Sequence, residues 1–124
     1  MTLQEIRDLL NADILTGGNQ MQAEVISAFS ADMMSDLLAF GSAGSLLLTR
    51  MTSPQVIRTS DILDIAAIVM VRGKIPPPEV IQLADELNVT ILATRFLQFE
   101  AAGRLYANGL RGNIDQADER HAAV

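Results

Sequence analysis

Apolar residues along the chain follow two patterns: short uncharged runs and segments with helical spacing. The runs Ala66–Val71 and Val89–Ala93 are rich in β-branched residues, as expected of strands that are buried on both faces. Between them, after Pro76–Pro78, apolar residues recur at helical spacing from Val80 to Leu87. The pattern predicts a right-handed strand–helix–strand unit at the centre of the fold.

The same periodicities predict further elements on both sides of this unit. Additional strands are predicted at Ala12–Leu15, Glu24–Phe29 and Ser45–Thr49, and additional helices at Leu3–Leu10, after Ser30, at Gln55–Asp64 and after Thr94. The segment Gln55–Asp64 allows one interrupted helix or a short helix followed by extended chain, and we favour the first. We therefore predict a single three-layer α/β domain, in which helices flank a mixed, mainly parallel sheet of about five strands.

Polar residues at the predicted helix starts have the character of N-caps. Thr2 and Glu5 have the spacing of a capping box, and Ser53–Pro54 is a cap followed by proline at the first helical position. Ser30 is expected to cap the second helix and Thr94 the last one.

The second helix is predicted to bury one apolar face and to expose its acids. The residues expected at the buried face are Met33, Met34, Leu37 and Leu38. Asp32 is expected in the first turn, where a carboxylate favours the helix dipole. Asp32 and Asp36 have no histidine or third acid near them in the sequence, so we assign both to a solvated face rather than to a metal or acid–base pair.

The last helix carries two apolar faces. One contains Phe96, Phe99, Gly103 and Tyr106, and the other contains Leu97, Ala101 and Leu105. Two such faces imply deep burial or an interface, and we predict a homodimer that forms through apolar helix faces. The folded domain is predicted to span residues 1–110, with residues 111–124 as a polar C-terminal tail.

Charge and residue content exclude several classes of function. Fifteen acidic and nine basic residues give a net charge of −6, which argues against binding to nucleic acid or anionic membranes. The chain has no cysteine, and its one histidine, His121, lies in the predicted tail. No apolar run is long enough to span a membrane, and Thr2–Glu5 resembles a helix start rather than a signal peptide. We expect a cytoplasmic protein.

No catalytic arrangement can be assembled from the sequence. Serine–histidine–acid, cysteine–histidine and metal-ligand spacings are all absent, so we expect no catalytic residue, no metal and no cofactor. Gly17–Gly18 lacks the Gly-Lys-Ser/Thr of a phosphate-binding P-loop and is interpreted as a structural turn.

Basic residues follow several predicted strands directly. Since the carboxyl ends of parallel strands meet at one edge of a sheet, we expect these side chains to converge there with helix N-termini. The candidate ligand-binding residues at this edge are Arg50, Thr52, Arg58, Arg72, Gly73, Lys74, Thr94 and Arg95. Phosphate, a nucleotide tail or a carboxylate is the expected ligand. The alternative is that these cations are solvated or paired with Asp61, Asp64 or Glu79.

Three segments carry a resemblance to a known family. They are Leu9–Leu15, Asp36–Gly41 with Leu46–Thr49, and Ala67–Gly73 with Pro77 and the helix that leads to Thr94. Together they resemble the DRTGG domain, a small α/β module found within some phosphotransacetylases and beside CBS domains, with a fold similar to the amino-terminal domain of HPr kinase. Where the family usually has Thr-Gly-Gly this chain has Val71–Gly73, and the family's Asp-Arg pair corresponds to Thr49–Thr52, which keeps the arginine. The resemblance implies a regulatory or accessory module, often dimeric.

Two hypotheses of function follow. The first is a non-catalytic sensor that binds a small anion, such as a nucleotide, at the edge containing Arg50, Arg72 and Lys74. The second is a homodimeric protein-interaction adaptor that acts through an apolar helix face, such as that of Met33 and Met34 or that of Phe96 and Phe99.

Overall fold

The computed structural model describes residues 1–113, which form one α/β domain. Its strands are β1 (Asp13–Thr16), β2 (Ser27–Ser30), β3 (Ser45–Thr49), β4 (Ala67–Met70) and β5 (Ile91–Ala93). Its helices are α1 (Leu3–Leu10), α2 (Met34–Phe40), α3 (Pro54–Ile62), α4 (Pro78–Glu86) and α5 (Gln98–Ala107), with a 3-10 turn at Gly18–Gln20. The predicted fold class is confirmed, and the segment after Pro54 forms one continuous helix.

The five strands form one mixed sheet with the order β1-β5-β4-β3-β2. Strands β2 to β5 are mutually parallel, and only β1 at one edge is antiparallel. Thr49 pairs with Met70, and Met70 pairs with Ala93, so the carboxyl ends of three adjacent strands are level. Residues that directly follow these strands therefore emerge at the same edge.

Alternate residues of the central strands pack on opposite faces of the sheet, as the two-residue period of a strand requires. In β3, Leu46 and Leu48 pack with α1 and α5 on one face, while Leu47 packs with α2, α3 and α4 on the other. Every residue of β3 and β4 is buried. Helices on both faces explain why these strands appear in the sequence as unbroken apolar runs.

The antiparallel edge strand is joined to the sheet partly by a side chain. The register between β1 and β5 shifts between Ile14 and Thr16. At this irregularity the buried Thr16 hydroxyl donates to the Val89 carbonyl at 2.7 Å and accepts from the Ile91 amide at 2.9 Å. Gly17 then turns the chain at φ +80°, and a Cβ there would lie 2.2 Å from Oγ1 of Thr90.

Some predicted caps are confirmed and others are wrong. Thr2 caps α1, accepting from the Glu5 amide at 3.1 Å, but its hydroxyl lies near the Glu5 carboxylate instead of completing a reciprocal capping box. Ser30 does not cap α2, because that helix starts after Met33. Thr94 does not cap α5, which starts after Leu97, because its hydroxyl donates to the Leu10 carbonyl at 2.7 Å.

The exposure of α2 also differs from the prediction. Leu37 is fully buried, but 59% of Met33 and 62% of Leu38 is exposed. The helix has only seven residues and starts at Met34, so Met33 lies outside it and Leu37 is its one fully buried residue.

No helix within residues 1–113 is long and apolar enough to cross a membrane. At the end of the described chain, residues 111–113 lie beside β2, where the Ala28 amide donates to the Arg111 carbonyl and the Asn113 amide donates to the Ala28 carbonyl. The remainder of the predicted tail, with His121, lies outside the described residues.

Candidate functional site

A cleft with basic walls lies at the carboxyl edge of the sheet. It is lined by Asp32, which follows β2, by Arg50 and Met51, which follow β3, and by Arg72 and Lys74, which follow β4. Its volume is about 320 Å³. We call these five residues and the space between them the basic cleft.

Arg50 is held in the basic cleft by Asp32. One carboxylate oxygen of Asp32 accepts from the Arg50 amide at 2.9 Å, and the other lies 3.2 Å from both Nε and Nη2 of the guanidinium. The Asp32 side chain is 28% exposed and that of Arg50 is 46% exposed, so the pair lies at the solvent boundary. The guanidinium keeps further N–H donors that this carboxylate does not use.

Arg72 and Lys74 belong to a tight turn whose backbone is fixed against the segment that joins β5 to α5. Arg72 has φ +64° and Gly73 has φ +69°, and the Lys74 amide donates to the Val71 carbonyl at 3.2 Å. Two left-handed central residues are typical of a type I′ turn. The Arg72 amide donates to the Phe96 carbonyl and the Gly73 amide to the Thr94 carbonyl, both at 2.8 Å.

Four of the five residues that line the basic cleft have main-chain amides with partners within the protein. Besides the amides of Arg50, Arg72, Gly73 and Lys74, the Met51 amide donates to Oγ1 of Thr49 at 3.0 Å. Anion sites of the P-loop and nest type bind through free backbone N–H groups. An anion in the basic cleft would therefore be bound mainly by side chains.

The charged side chains leave the basic cleft with an excess of positive charge. Three cations and one carboxylate line it, giving a formal charge of +2. Within residues 1–113, neither Arg72 nor Lys74 takes part in an ion pair, and Asp61, Asp64 and Glu79 pair with no cation. The one carboxylate in the basic cleft is Asp32, which the sequence pattern assigns to a helix turn.

The remaining predicted site residues lie outside the basic cleft. Thr52 follows Met51 without lining the cleft, and Arg58 is an exposed residue in the middle of α3. Gly73 contributes the turn but no side chain. Thr94 is buried, and its hydroxyl also accepts from the Phe96 amide at 3.3 Å.

Arg95 lines a neighbouring cavity of about 280 Å³. Asn11, Asp13 and Phe96 are among the other residues around it. The convergence expected from the sequence thus holds for Arg50, Arg72 and Lys74, and the structure separates Arg95 from them.

Asp32 is the residue of the basic cleft that the sequence interpretation does not identify. Its position beside Arg50 depends on β2 lying next to β3, which brings the two residues together across 18 residues of chain. The available signal was its position two residues after the end of β2, in the connection at the carboxyl edge of the sheet.

An apolar groove lies at the opposite side of the domain from β1, between β2 and α5. It has a volume of about 300 Å³ and is lined mainly by Ala28, Phe29, Leu48, Leu105 and Tyr106. Its one charged lining residue is Arg111, whose guanidinium lies over the Tyr106 ring and donates to the Tyr106 carbonyl at 3.1 Å, so the groove is mainly apolar, unlike the basic cleft.

Among the residues that the structure describes, no group of three or more histidine, cysteine, aspartate or glutamate side chains is placed to hold a metal ion.

Comparison with known proteins identifies the family. The family model for the DRTGG domain matches residues 5–107. A solved structure with the same fold contains the CBS and DRTGG domains of the regulatory region of Clostridium perfringens pyrophosphatase, complexed with its activator diadenosine tetraphosphate. The TM-score is 0.70 at 22% sequence identity, and the match covers 84% of this chain and 45% of that one. No curated protein matches the chain in sequence. The extent of the family match shows that this chain belongs to the DRTGG domain family.

Proposed function

We propose that this domain is a non-catalytic regulatory module that binds a small anionic ligand, a nucleotide or another phosphate compound, in the basic cleft. The observation that carries the proposal is the convergence of Arg50, Arg72 and Lys74 on one cleft of an otherwise acidic chain. Guanidinium and ammonium groups are the side chains that most often bind phosphate in proteins.

The backbone of Arg72 supports this proposal independently of its charge. A left-handed conformation costs a residue other than glycine about 1–2 kcal/mol, and such strain is concentrated at functional sites. Arg72 adopts it at φ +64° in a turn where glycine would fit without strain. A side chain at this position is retained at a cost in stability, which is consistent with a use for the guanidinium.

A structural neighbour suggests which ligands to test first. The pyrophosphatase regulatory region was solved with diadenosine tetraphosphate, so adenine nucleotides are the first choice. Because this chain matches only 45% of that one, the proposal rests on the basic cleft, and the neighbour contributes only the choice of test ligand.

Ligand-dependent thermal denaturation tests the proposal, with AMP, ATP, diadenosine tetraphosphate and inorganic phosphate as probes. A ligand that binds only the folded state stabilises it by mass action and so raises the melting temperature. The free energy of unfolding increases by about 2.7 kcal/mol at a ligand concentration 100 times the Kd. We expect at least one probe to stabilise the wild type and Arg72→Gly to lose the response.

The matched control is Arg58→Gln, which removes the same charge from an exposed position outside the basic cleft. It should keep the ligand response. The proposal fails if no probe changes the melting temperature, or if the Arg58 and Arg72 variants lose the response equally.

A second candidate function, a protein-interaction adaptor that acts as a homodimer, is favoured by the outer face of α5. Ala101 and Leu105 are buried against the sheet, but 89% of Phe99 is exposed, and Leu97 and Tyr106 are also largely exposed. An apolar helix face of this kind is typical of an interaction surface.

Light scattering after size exclusion tests this alternative. If α5 forms the dimer, Phe99→Asp should yield monomers, while Ile62→Asp, at an equally exposed apolar position on α3, should leave the dimer intact. A wild type that is monomeric at all concentrations, or a dimer that tolerates Phe99→Asp, would exclude the α5 dimer.

A further inference from the structure

Asp32 places a negative charge inside a cleft whose other charged groups are cations. Its carboxylate lies at the solvent boundary and lines the same space as Arg72 and Lys74. The same carboxylate accepts from the Thr49 hydroxyl at 3.5 Å and from the Arg50 amide at 2.9 Å, and these contacts fix it at this edge of the cleft. Its position gives it a direct electrostatic effect on any ligand of the cleft.

The charges of Asp32 and Arg50 largely cancel at a separation of 3.2 Å. The charge without a partner within residues 1–113 comes from Arg72 and Lys74, and the formal total of the cleft is +2. One phosphate monoester carries about −1.5 to −2 charges at pH 7, which matches this total. Each additional phosphate exceeds it and brings further negative charge towards Asp32.

We propose that Asp32 is a specificity-determining residue that limits the basic cleft to a single phosphate monoester and suppresses the gain in affinity that a longer polyphosphate would otherwise have. This inference rests on the proposed function. It assigns the ligand to the nucleoside monophosphate class, in which one phosphate contacts Arg72 and Lys74.

Affinity measurements with AMP, ADP and ATP in the absence of divalent metal test the inference, because the three share one nucleoside and differ in phosphate charge. For the wild type we expect the affinities for AMP and ATP to agree within about threefold. In Asp32→Asn the amide oxygen can still accept from the Arg50 amide, while the negative charge is removed. We expect this variant to favour ATP over AMP by about tenfold, from the Coulomb energy of one charge over several ångströms at a dielectric between those of protein and water.

Asp36→Asn is the matched control, since it changes the net charge equally on α2 without lining the basic cleft. It should keep the wild-type ratio of affinities. Arg50→Gln provides a second test that does not depend on the folding of the Asp32 variant. It leaves the Asp32 charge uncompensated, so it should favour AMP over ATP, the opposite direction to Asp32→Asn.

The outcomes separate this inference from the proposed function. If the wild type binds ATP at least tenfold more tightly than AMP, or if the Asp32 and Arg50 variants both keep the wild-type ratio, the role of Asp32 is refuted while the cleft remains a phosphate site. If none of the three nucleotides binds, the proposed function itself fails, and the inference fails with it.

Discussion

Replacing Arg72 with glycine separates the conformational role of this residue from its charge. The residue occupies a left-handed turn position at φ +64°, its side chain is exposed, and it takes part in no ion pair within residues 1–113. The hydrogen bond that its amide donates to the Phe96 carbonyl at 2.8 Å involves only the backbone and is kept in the variant. Arg72→Gly therefore removes the guanidinium and the strain while leaving the contacts of the turn in place.

The expected change in stability is the difference between two backbone effects. Relief of the left-handed conformation contributes about 1–2 kcal/mol. The greater freedom of glycine in the unfolded chain offsets about 0.5–1 kcal/mol of this. We expect Arg72→Gly to be more stable than the wild type by about 0.5–1 kcal/mol, or roughly 2–5 °C in melting temperature for a domain of this size.

Thermal denaturation without ligand and calorimetric titration with AMP measure the two consequences separately. Arg72→Ala is the matched control, because it removes the charge but keeps a side chain at positive φ. Both variants should lose AMP binding, and only the glycine variant should gain stability. If Arg72→Gly is no more stable than Arg72→Ala, the left-handed backbone of Arg72 does not destabilise the domain. If either variant binds AMP as the wild type does, Arg72 is not a ligand-binding residue.

Three further predictions concern the edge strand and the electrostatics of the cleft. Thr16→Val leaves the Val89 carbonyl and the Ile91 amide without their hydrogen-bond partner, so we expect the free energy of unfolding, measured by urea denaturation, to fall by about 2–4 kcal/mol. A fall of less than about 0.5 kcal/mol would contradict the role of the hydroxyl. Gly17→Ala would place a Cβ 2.2 Å from Oγ1 of Thr90 at φ +80°, so we expect its free energy of unfolding to fall by about 2–4 kcal/mol. At Gly18 an added Cβ would lie 3.9 Å from Cγ2 of Ile14, so Gly18→Ala should cost less than about 1 kcal/mol. Because Arg50, Arg72 and Lys74 supply the positive charge of the basic cleft, nucleotide affinity should fall steadily with added salt. An affinity that is independent of salt in titration calorimetry would contradict this.

The central architecture was predictable because its signals are local. The unbroken apolar runs of β3, β4 and β5 are typical of strands that are covered on both faces. The segment between β4 and β5 is too long for a hairpin, which favours a parallel connection through a helix. Parallel strands with level ends then bring Arg50 and Arg72 to one edge without knowledge of any other contact.

The partner of Arg50 was not predictable in the same way. The nearest acid in the sequence is Asp61 on α3, but it lies in a cavity with Ala66 and Val89 at the amino ends of β4 and β5. The acid that binds Arg50 comes instead from the loop after β2. Finding Asp32 requires the strand order, which depends on the packing of the whole domain rather than on any local pattern.

Polar residues at helix starts misled the prediction for a similar reason. Thr94 has the residue type of an N-cap, but its hydroxyl finds the Leu10 carbonyl, 84 residues away, because α1 ends beside β5. Gln98 of α5 reaches the Ser30 hydroxyl across the domain, so the serine that was expected to cap α2 binds another helix. Tertiary hydrogen bonds replaced local caps at both positions.

The most direct test of the account is a nuclear magnetic resonance titration that follows the Nε–H signals of the arginine side chains as AMP is added. Arg50 and Arg72 line the basic cleft, whereas Arg58 and Arg95 lie outside it. We predict that the signals of Arg50 and Arg72 shift together and saturate with one binding constant, while those of Arg58 and Arg95 stay in place. Saturable shifts confined to Arg58 or Arg95, or no shift of any arginine signal, would contradict the assignment of the basic cleft as the ligand site.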